Sequence, residues 1–226
     1  MIGKMRAALK VEAAPGATIA LVDIPQIGPR DVLVEVKAAS ICGTDVHIYE
    51  WDAWAQSRMQ VPRIFGHEFA GEVVEVGSEV TSVVPGDFVA AETHITCGEC
   101  YQCRTGQGHV CRNVKIIGVD RDGAFARYIA IPASVAWKTG KEIEHSVASI
   151  QEPFGNAVHT VYSGEITNQT VAVIGCGPIG LWSVGLCHLA GASMIFAIEP
   201  NNKRLDIARN MGATALLNPR EVDPVQ

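Results

Sequence analysis

The 226-residue chain carries 18 Lys and Arg against 24 Asp and Glu, a formal net charge of −6, with no long basic run. That balance excludes nucleic acid or an anionic membrane as the partner its surface is built for. At 48% hydrophobic and 19% charged residues, the composition is that of a folded globular protein, long enough for one large domain or two modest ones. Residues 1–10 hold Lys4, Arg6 and Lys10 and no apolar core, so no secretory signal is expected and a cytoplasmic, reducing setting is.

The first part of the chain reads as mostly strand. Val32 to Val36 is β-branched and apolar, as in a strand packed on both sides. Glu72 to Val76, Phe88 to Ala91 and Ala124 to Ile131 follow as further strands. Turn signals at Gly28-Pro29, Gly77-Ser78, Pro85-Gly86-Asp87 and Asp122-Gly123 separate them. Short strands with regular turns predict a barrel or sandwich up to about residue 145. The texture then changes. Glu142 to Gly164 reads as helical and contains Glu152-Pro153. Thr170 to Ile174 is a strand, Leu181 to Leu189 a helix and Met194 to Ile198 a strand. Asn201 to Met211 is a helix with Asn201 as cap and Gly212 as stop, and Ala215 to Leu217 begins a third strand. Strand, helix, strand, helix, strand opens a parallel α/β sheet. Residues 170–198 lack Asp, Glu, Lys and Arg, but Gly175, Gly177, Pro178, Gly180, Gly185 and Gly191 interrupt them. A glycine turn of that kind would break the backbone hydrogen bonds of a membrane-spanning helix.

Four of seven cysteines are spaced Cys97-x2-Cys100-x2-Cys103-x7-Cys111. Four thiolates within one loop can close the tetrahedral shell of Zn²⁺, which marks a structural site with no position left for substrate. An iron–sulfur cluster is the rival, though its fourth cysteine follows after three residues and precedes a proline. Here the gap is seven residues and Arg112 follows. Disulfides are the other alternative and suit a reducing compartment poorly.

Gly175-Cys176-Gly177-Pro178-Ile179-Gly180 follows a strand and opens a helix, the context a dinucleotide-binding turn requires. The glycines permit the turn, the approach of a pyrophosphate and close helix–strand packing. The helix N-terminus favours phosphate. Glu199 ends the next strand, where a carboxylate can hold ribose hydroxyls and repel a 2′-phosphate, so NAD is favoured over NADP. Lys203 and Arg204 stand nearby and weigh against that preference, although an exposed helix face accounts for them equally.

Cys42, in Cys42-Gly43-Thr44-Asp45-Val46-His47, the pair His67-Glu68, and Glu152 offer thiolate, imidazole and carboxylate donors. Such a mixed shell on Zn²⁺ keeps one exchangeable position, as catalysis needs. Each residue alone also has an ordinary structural reading. Cys42 suits a small core position, Thr44 a turn-stabilising hydroxyl, and Glu152 the N-terminus of its helix.

Gly66-His67-Glu68-Phe69-Ala70-Gly71, with Gly77 and Val80 after it, resembles the signature of zinc-dependent medium-chain alcohol dehydrogenases. The four-cysteine loop and the glycine turn stand where that family has them. The resemblance implies an α/β protein overall: a GroES-like β-barrel catalytic domain over 1–150, with a zinc lobe at about 92–114, then a truncated Rossmann (doubly wound) domain over 151–226. Residues 41–56, 92–100 and 152–160 are similar to the L-threonine 3-dehydrogenase branch. That branch implies oxidation of L-threonine at its 3-hydroxyl to 2-amino-3-oxobutanoate, with reduction of NAD and two Zn²⁺ per subunit. By resemblance, Cys42, His67 and Glu68 bind the catalytic zinc, and Glu152 is a further ligand or a proton-relay group. Thr44 and His47 relay the alcohol proton. Cys97, Cys100, Cys103 and Cys111 hold the second zinc. Gly175, Gly177, Ile179, Gly180, Glu199 and Arg204 meet NAD, and His94 lies near the substrate. Family members are usually homotetramers, which is not extended to this chain.

A full dinucleotide fold has six strands, and only two and the start of a third are legible here. The sequence therefore predicts a truncated cofactor half with weak or no turnover alone. A sorbitol-type polyol or secondary-alcohol dehydrogenase, and an inactive zinc-binding scaffold, stand as rivals.

Overall fold

The computed structural model describes residues 2–225, and the chain folds as two compact units, one ending at Glu152 and the other beginning at Pro153.

The first unit is β-rich. Its strands are β1 (Lys4–Lys10), β2 (Thr18–Asp23), β3 (Asp31–Ser40), β4 (Arg63–Ile64), β5 (Glu68–Val76), β6 (Phe88–Ala91), β7 (His94–Ile95), β8 (Lys115–Ile116), β9 (Tyr128–Pro132) and β10 (Ala136–Lys138). Helices α1 (Gly43–Glu50) and α2 (Ala53–Arg58) lie between β3 and β4. A four-residue helix α3 (Tyr101–Arg104) sits between β7 and β8, and α4 (His145–Ala148) follows β10. Five strands form an antiparallel sheet in the order β10-β6-β5-β3-β9, three form a second in the order β2-β1-β4, and β7 pairs with β8.

The place of β3 explains why residues 32–34 are apolar without a break. Val32 and Val34 enter a core with Phe69, Val73, Val89, Ile129 and Ile131. Leu33, pointing the other way, enters a second core with Met5, Ala7, Ile24 and Ile64. A strand buried on both faces has no reason to alternate with polar residues. The signature glycines serve backbone approach. Gly66 has φ +90°, and a Cβ there would come 2.5 Å from the Phe125 ring, so neither the dihedral nor the space admits a side chain.

A cation also lies inside this unit. Lys10 is fully buried. Its ammonium donates to the carbonyls of Ala14, Gly16 (2.8 Å) and Tyr49 (3.0 Å) and lies 5.2 Å from the Trp51 ring centre. All three ammonium hydrogens find acceptors, as burial of such a group demands.

The second unit starts within α5 (Gln151–Val161) and continues as β11 (Thr170–Ile174), α6 (Pro178–Leu189), β12 (Met194–Ile198), α7 (Asn202–Asn210) and β13 (Ala215–Leu217). The three strands form a parallel sheet in the order β11-β12-β13. Val184, Cys187, Ile195, Ala197, Leu205 and Ala208 form its core between the helices and the sheet. Asn201 caps α7 by accepting from the N–H groups of Lys203 and Arg204, and Gly212 follows at φ +109°. The charge-free stretch 170–198 is thus strand, turn, helix and strand. Among the described residues, no helix is long and apolar enough to cross a membrane.

The expected fold class holds: a β-rich sheet unit, then a parallel α/β unit. Several boundaries need correction. Residues 43–50 and 53–58 are helical where strand texture was expected. The strand expected from Ala124 begins only at Tyr128, because residues 124–127 make a single isolated bridge, Ala7 to Ala126. The helix expected over 142–164 is two helices, α4 and α5, separated at Ser149 and Ile150.

The core assignment makes a testable distinction. Ile131 is fully buried, whereas Ile19 on β2 is 60% exposed. Ile131→Ala is expected to cost about 2–5 kcal/mol in urea unfolding. Ile19→Ala is expected to stay within about 0.5 kcal/mol of wild type.

Candidate functional site

The register of two strands assembles the mixed-donor site. β3 runs antiparallel to β5 with Ser40 opposite Glu68. Two residues past Ser40 the chain turns at Cys42 into α1, so the thiol arrives beside Glu68 and the preceding His67. Ligand atoms of Cys42, His67 and Glu68 all lie within 4.8 Å of one another, and both His67 and Glu68 are buried. Ser40 Oγ donates to Glu68 Oε2 and fixes that carboxylate.

Asp45 completes the framework. Its Oδ2 accepts from the Cys42 N–H at 2.9 Å, closing a capping box on α1. Its Oδ1 lies 3.6 Å from His67 Nδ1, and both of these buried atoms lack a hydrogen-bond partner. A carboxylate behind one ring nitrogen is the usual support for an imidazole whose other nitrogen ligates a metal. The Cys42 thiol tests the same fit. Burial pushes its pKa up, hydrogen bonds from the Thr44 backbone and hydroxyl pull it down, and Glu68 pushes it up again. A divalent cation at this point would reverse the balance and favour thiolate. Thiolate, imidazole and carboxylate in this grouping fit Zn²⁺.

Thr44 stands two residues after Cys42 in the first turn of α1, where its backbone and hydroxyl favour the thiolate, and His47 lies three residues further along α1, on the same helix face. Glu152, in the first turn of α5, does not join the Cys42 group. Its carboxylate lies within 4.8 Å of ligand atoms of Glu92 and His94 instead. Its pKa is raised, first by burial and then by Glu92, with His67 and His94 opposing and Glu68 adding to the rise. The two groups adjoin. Glu92 Oε1 accepts from His94 twice, from the backbone N–H at 2.8 Å and at Nδ1 at 2.6 Å.

The four cysteines meet as one cluster. Sulfur separations are 4.0 Å for Cys97–Cys103, 3.5 Å for Cys100–Cys103, 3.9 Å for Cys100–Cys111 and 3.6 Å for Cys97–Cys111. A tetrahedron with Zn–S bonds of about 2.3 Å has edges of about 3.8 Å, so these edges match. Backbone N–H groups of Cys97 and Cys100 point at sulfurs at 3.4 Å. Crowding splits the thiols: backbone hydrogen bonds pull Cys100 down to about 6, while desolvation and its thiol neighbours push Cys103 up to about 12. A central dication relieves that conflict, and none of the seven cysteines is in a disulfide.

In the second unit, the turn after β11 holds Gly175 at φ +90°, with Gly177 as the N-cap of α6. A Cβ on Gly180 would fall 1.9 Å from the Gly175 carbonyl oxygen, so the third glycine is required for the helix to pack on the turn. Ile179 stands partly exposed on the first turn of α6. Glu199 is buried and accepts from the Cys176 N–H at 2.8 Å and the Asn201 N–H at 3.0 Å, with Arg204 Nη1 at 3.9 Å. Its carboxylate thus braces the turn, with lone pairs left for a further donor.

Asp45, Ser40 and Glu92 were not singled out from the sequence. Asp45 had a legible signal, a carboxylate three residues after Cys42 in capping-box spacing. Ser40 had none, because its role follows from strand register alone.

The model of the alcohol dehydrogenase GroES-like domain matches residues 28–141. The L-threonine 3-dehydrogenase of Caldanaerobacter subterraneus subsp. tengcongensis is 55% identical over 225 residues, covering 100% of this chain, which spans 65% of that relative's length. A zinc-binding dehydrogenase of Sinorhizobium meliloti 1021, solved with NADP, superposes with a TM-score of 0.90 at 35% identity over 99% of this chain and 64% of its own. An alcohol dehydrogenase of E. coli CFT073, solved with NADH, gives 0.86 at 34% identity, over 95% of this chain and 62% of its own.

The Glu92–His94 pair gives a pH signature in the metal-free chain. The Glu92 hydrogen bond raises His94 above 6.5, and although burial works to raise Glu92, the His94 hydrogen bonds hold it below 4.5. The His94 contribution to stability is lost as pH rises through its raised folded value, and that of Glu92 as pH falls through its lowered one. Both are complete only between 4.5 and 6.5. His94→Gln is expected to lower the melting temperature most in that window, with the difference shrinking on either side.

Proposed function

We propose that this chain, which belongs to the alcohol dehydrogenase GroES-like domain family, oxidises L-threonine at its 3-hydroxyl to 2-amino-3-oxobutanoate with NAD as acceptor. The observation that carries the reading is the Cys42–His67–Glu68 group, three unlike donors within 4.8 Å of one another beside the Thr44 hydroxyl. We further read the chain as holding two zinc ions, one there and one among Cys97, Cys100, Cys103 and Cys111. Residues from 151 onward form part of a Rossmann domain and those up to 150 the catalytic domain.

Bound zinc supplies a Lewis acid that makes a secondary alcohol acidic at neutral pH, and NAD supplies the hydride acceptor. The chain's own residues do the rest. Cys42, His67 and Glu68 hold the metal, with Asp45 and Ser40 fixing the ligands. Thr44 takes the proton of the substrate hydroxyl as its own passes to His47, and exposed His47 returns it to solvent. Gly175 and Gly177 would leave room for the pyrophosphate, Gly180 lets α6 pack on the turn, and Ile179 and Arg204 would flank the dinucleotide. Glu199 suits ribose hydroxyls and disfavours a 2′-phosphate, which supports NAD over NADP.

Two carboxylates and an imidazole beside the metal group favour an amino-acid substrate over a plain alcohol. Cys42 and Glu68 as anions already balance a dication. Glu92, hydrogen-bonded to His94, and Glu152 add carboxylate oxygens that can accept from an α-ammonium group. A relative at 55% identity that carries the L-threonine 3-dehydrogenase name supports the same substrate.

Metal analysis of the purified chain is expected to give two zincs, and Cys100→Ser to leave one. With zinc-loaded protein and NAD⁺, NADH absorbance at 340 nm is expected to rise with L-threonine in preference to sorbitol or a simple secondary alcohol. Thr44→Val is expected to lower that rate by about 10²-fold or more. Equal or greater kcat/KM on sorbitol would overturn the substrate assignment.

A further inference from the structure

His47 is held from outside the metal group. Its Nδ1 lies 2.6 Å from Asp52 Oδ2. The other oxygen of that carboxylate, Oδ1, accepts from the Ala55 N–H at 3.0 Å as the N-cap of α2. The Asp52 N–H in turn donates to the His47 carbonyl at 3.3 Å. The Trp54 ring stands 6.2 Å from the imidazole, centre to centre. The carboxylate is thus oriented by one helix and presented to the last turn of another.

We propose that Asp52 is a positioning residue that fixes His47 in its Nδ1–H tautomer and leaves Nε2 as the proton acceptor; the proposal rests on the reading of Thr44 and His47 as the proton path. An ionised carboxylate only accepts hydrogen bonds. A neutral imidazole facing one at 2.6 Å must therefore carry its proton on Nδ1. Nε2 keeps its lone pair. When the Thr44 O–H bond breaks, its proton forms an N–H bond at Nε2, and Thr44 Oγ regains a proton from the substrate hydroxyl. The imidazolium then faces the Asp52 carboxylate, which balances its charge until Nε2 releases the proton to water. Without Asp52 the ring is free to adopt the Nε2–H form, which has no acceptor where one is needed.

The dual use of the carboxylate makes the test sharp. In Asp52→Asn the cap selects the orientation of the amide, because only its oxygen can accept from Ala55 N–H. The NH₂ group then faces His47 Nδ1 and donates to it, which inverts the tautomer while α2 keeps its cap. Asp52→Ser keeps a capping oxygen and removes the partner of His47 altogether.

Long-range ¹H–¹⁵N correlation on the zinc-loaded chain, at a pH where the rings are neutral, reads both ring nitrogens. The His47 signals are identified by their loss in His47→Gln. The expected result is a protonated Nδ1 and bare Nε2 in wild type, the reverse in Asp52→Asn, and a mixture in Asp52→Ser. A wild-type ring protonated at Nε2, or an unchanged tautomer in Asp52→Asn, overturns the proposal. Turnover then separates it from the reading beneath it. Asp52→Asn is expected to lower kcat for L-threonine at least tenfold with KM unchanged. Inversion of the tautomer with kcat intact would overturn the Thr44–His47 path itself.

Discussion

The antiparallel register of β3 against β5 is the constraint on which the rest of the first unit depends. It sets Ser40 opposite Glu68, and through that one pairing Cys42 meets donors 25 and 26 positions further along the chain. A slip of one residue would turn every side chain of the strand to the opposite face. The register is pinned on both sides, because Val32 and Val34 fill one core and Leu33 another. Packing energy spent in the two cores thus also locates the thiol, the imidazole and the carboxylate.

Around this pairing the polar groups are arranged in support of one another. Asp45 closes the first turn of α1 with one oxygen and backs His67 with the other. Asp52 caps α2 with one oxygen and faces His47 with the other. In both cases a carboxylate satisfies a backbone N–H that a helix start leaves unpaired, and its second oxygen serves the site. Local folding and chemistry are therefore not separable at these two positions. In the second unit Glu199 spends both oxygens on backbone N–H groups, those of Cys176 and Asn201, and so braces the glycine turn.

How much of this the sequence reveals follows from where the information lies. The parallel sheet was legible nearly to the residue, because apolar β-branched runs, a glycine turn and an asparagine cap are local signals. The cysteine spacing was equally local. The helices α1 and α2 were not legible. Gly43, Thr44, Asp45, Val46 and His47 are poor helix formers, and the helix exists because Asp45 caps one end and Lys10 grips the carbonyl of Tyr49 at the other. The late start of β9 was hidden because residues 124–127 keep an apolar, strand-like texture while making only one isolated bridge. The grouping of Glu92 with His94 and Glu152 depends on residues sixty positions apart, and no periodicity reports it.

Lys10 carries a consequence for how the molecule opens. Its ammonium binds the loop after β1 and the last turn of α1 at once. Separating them exposes three carbonyls and a desolvated cation together, so the first strand cannot fray independently of the helix that bears Cys42, Thr44 and His47. Amide protons of β1 and α1 should then exchange as one cooperative block rather than as a loose end and a stable interior. Strand β1, in many domains a dispensable end, is here expected to open together with the helix that carries the chemistry.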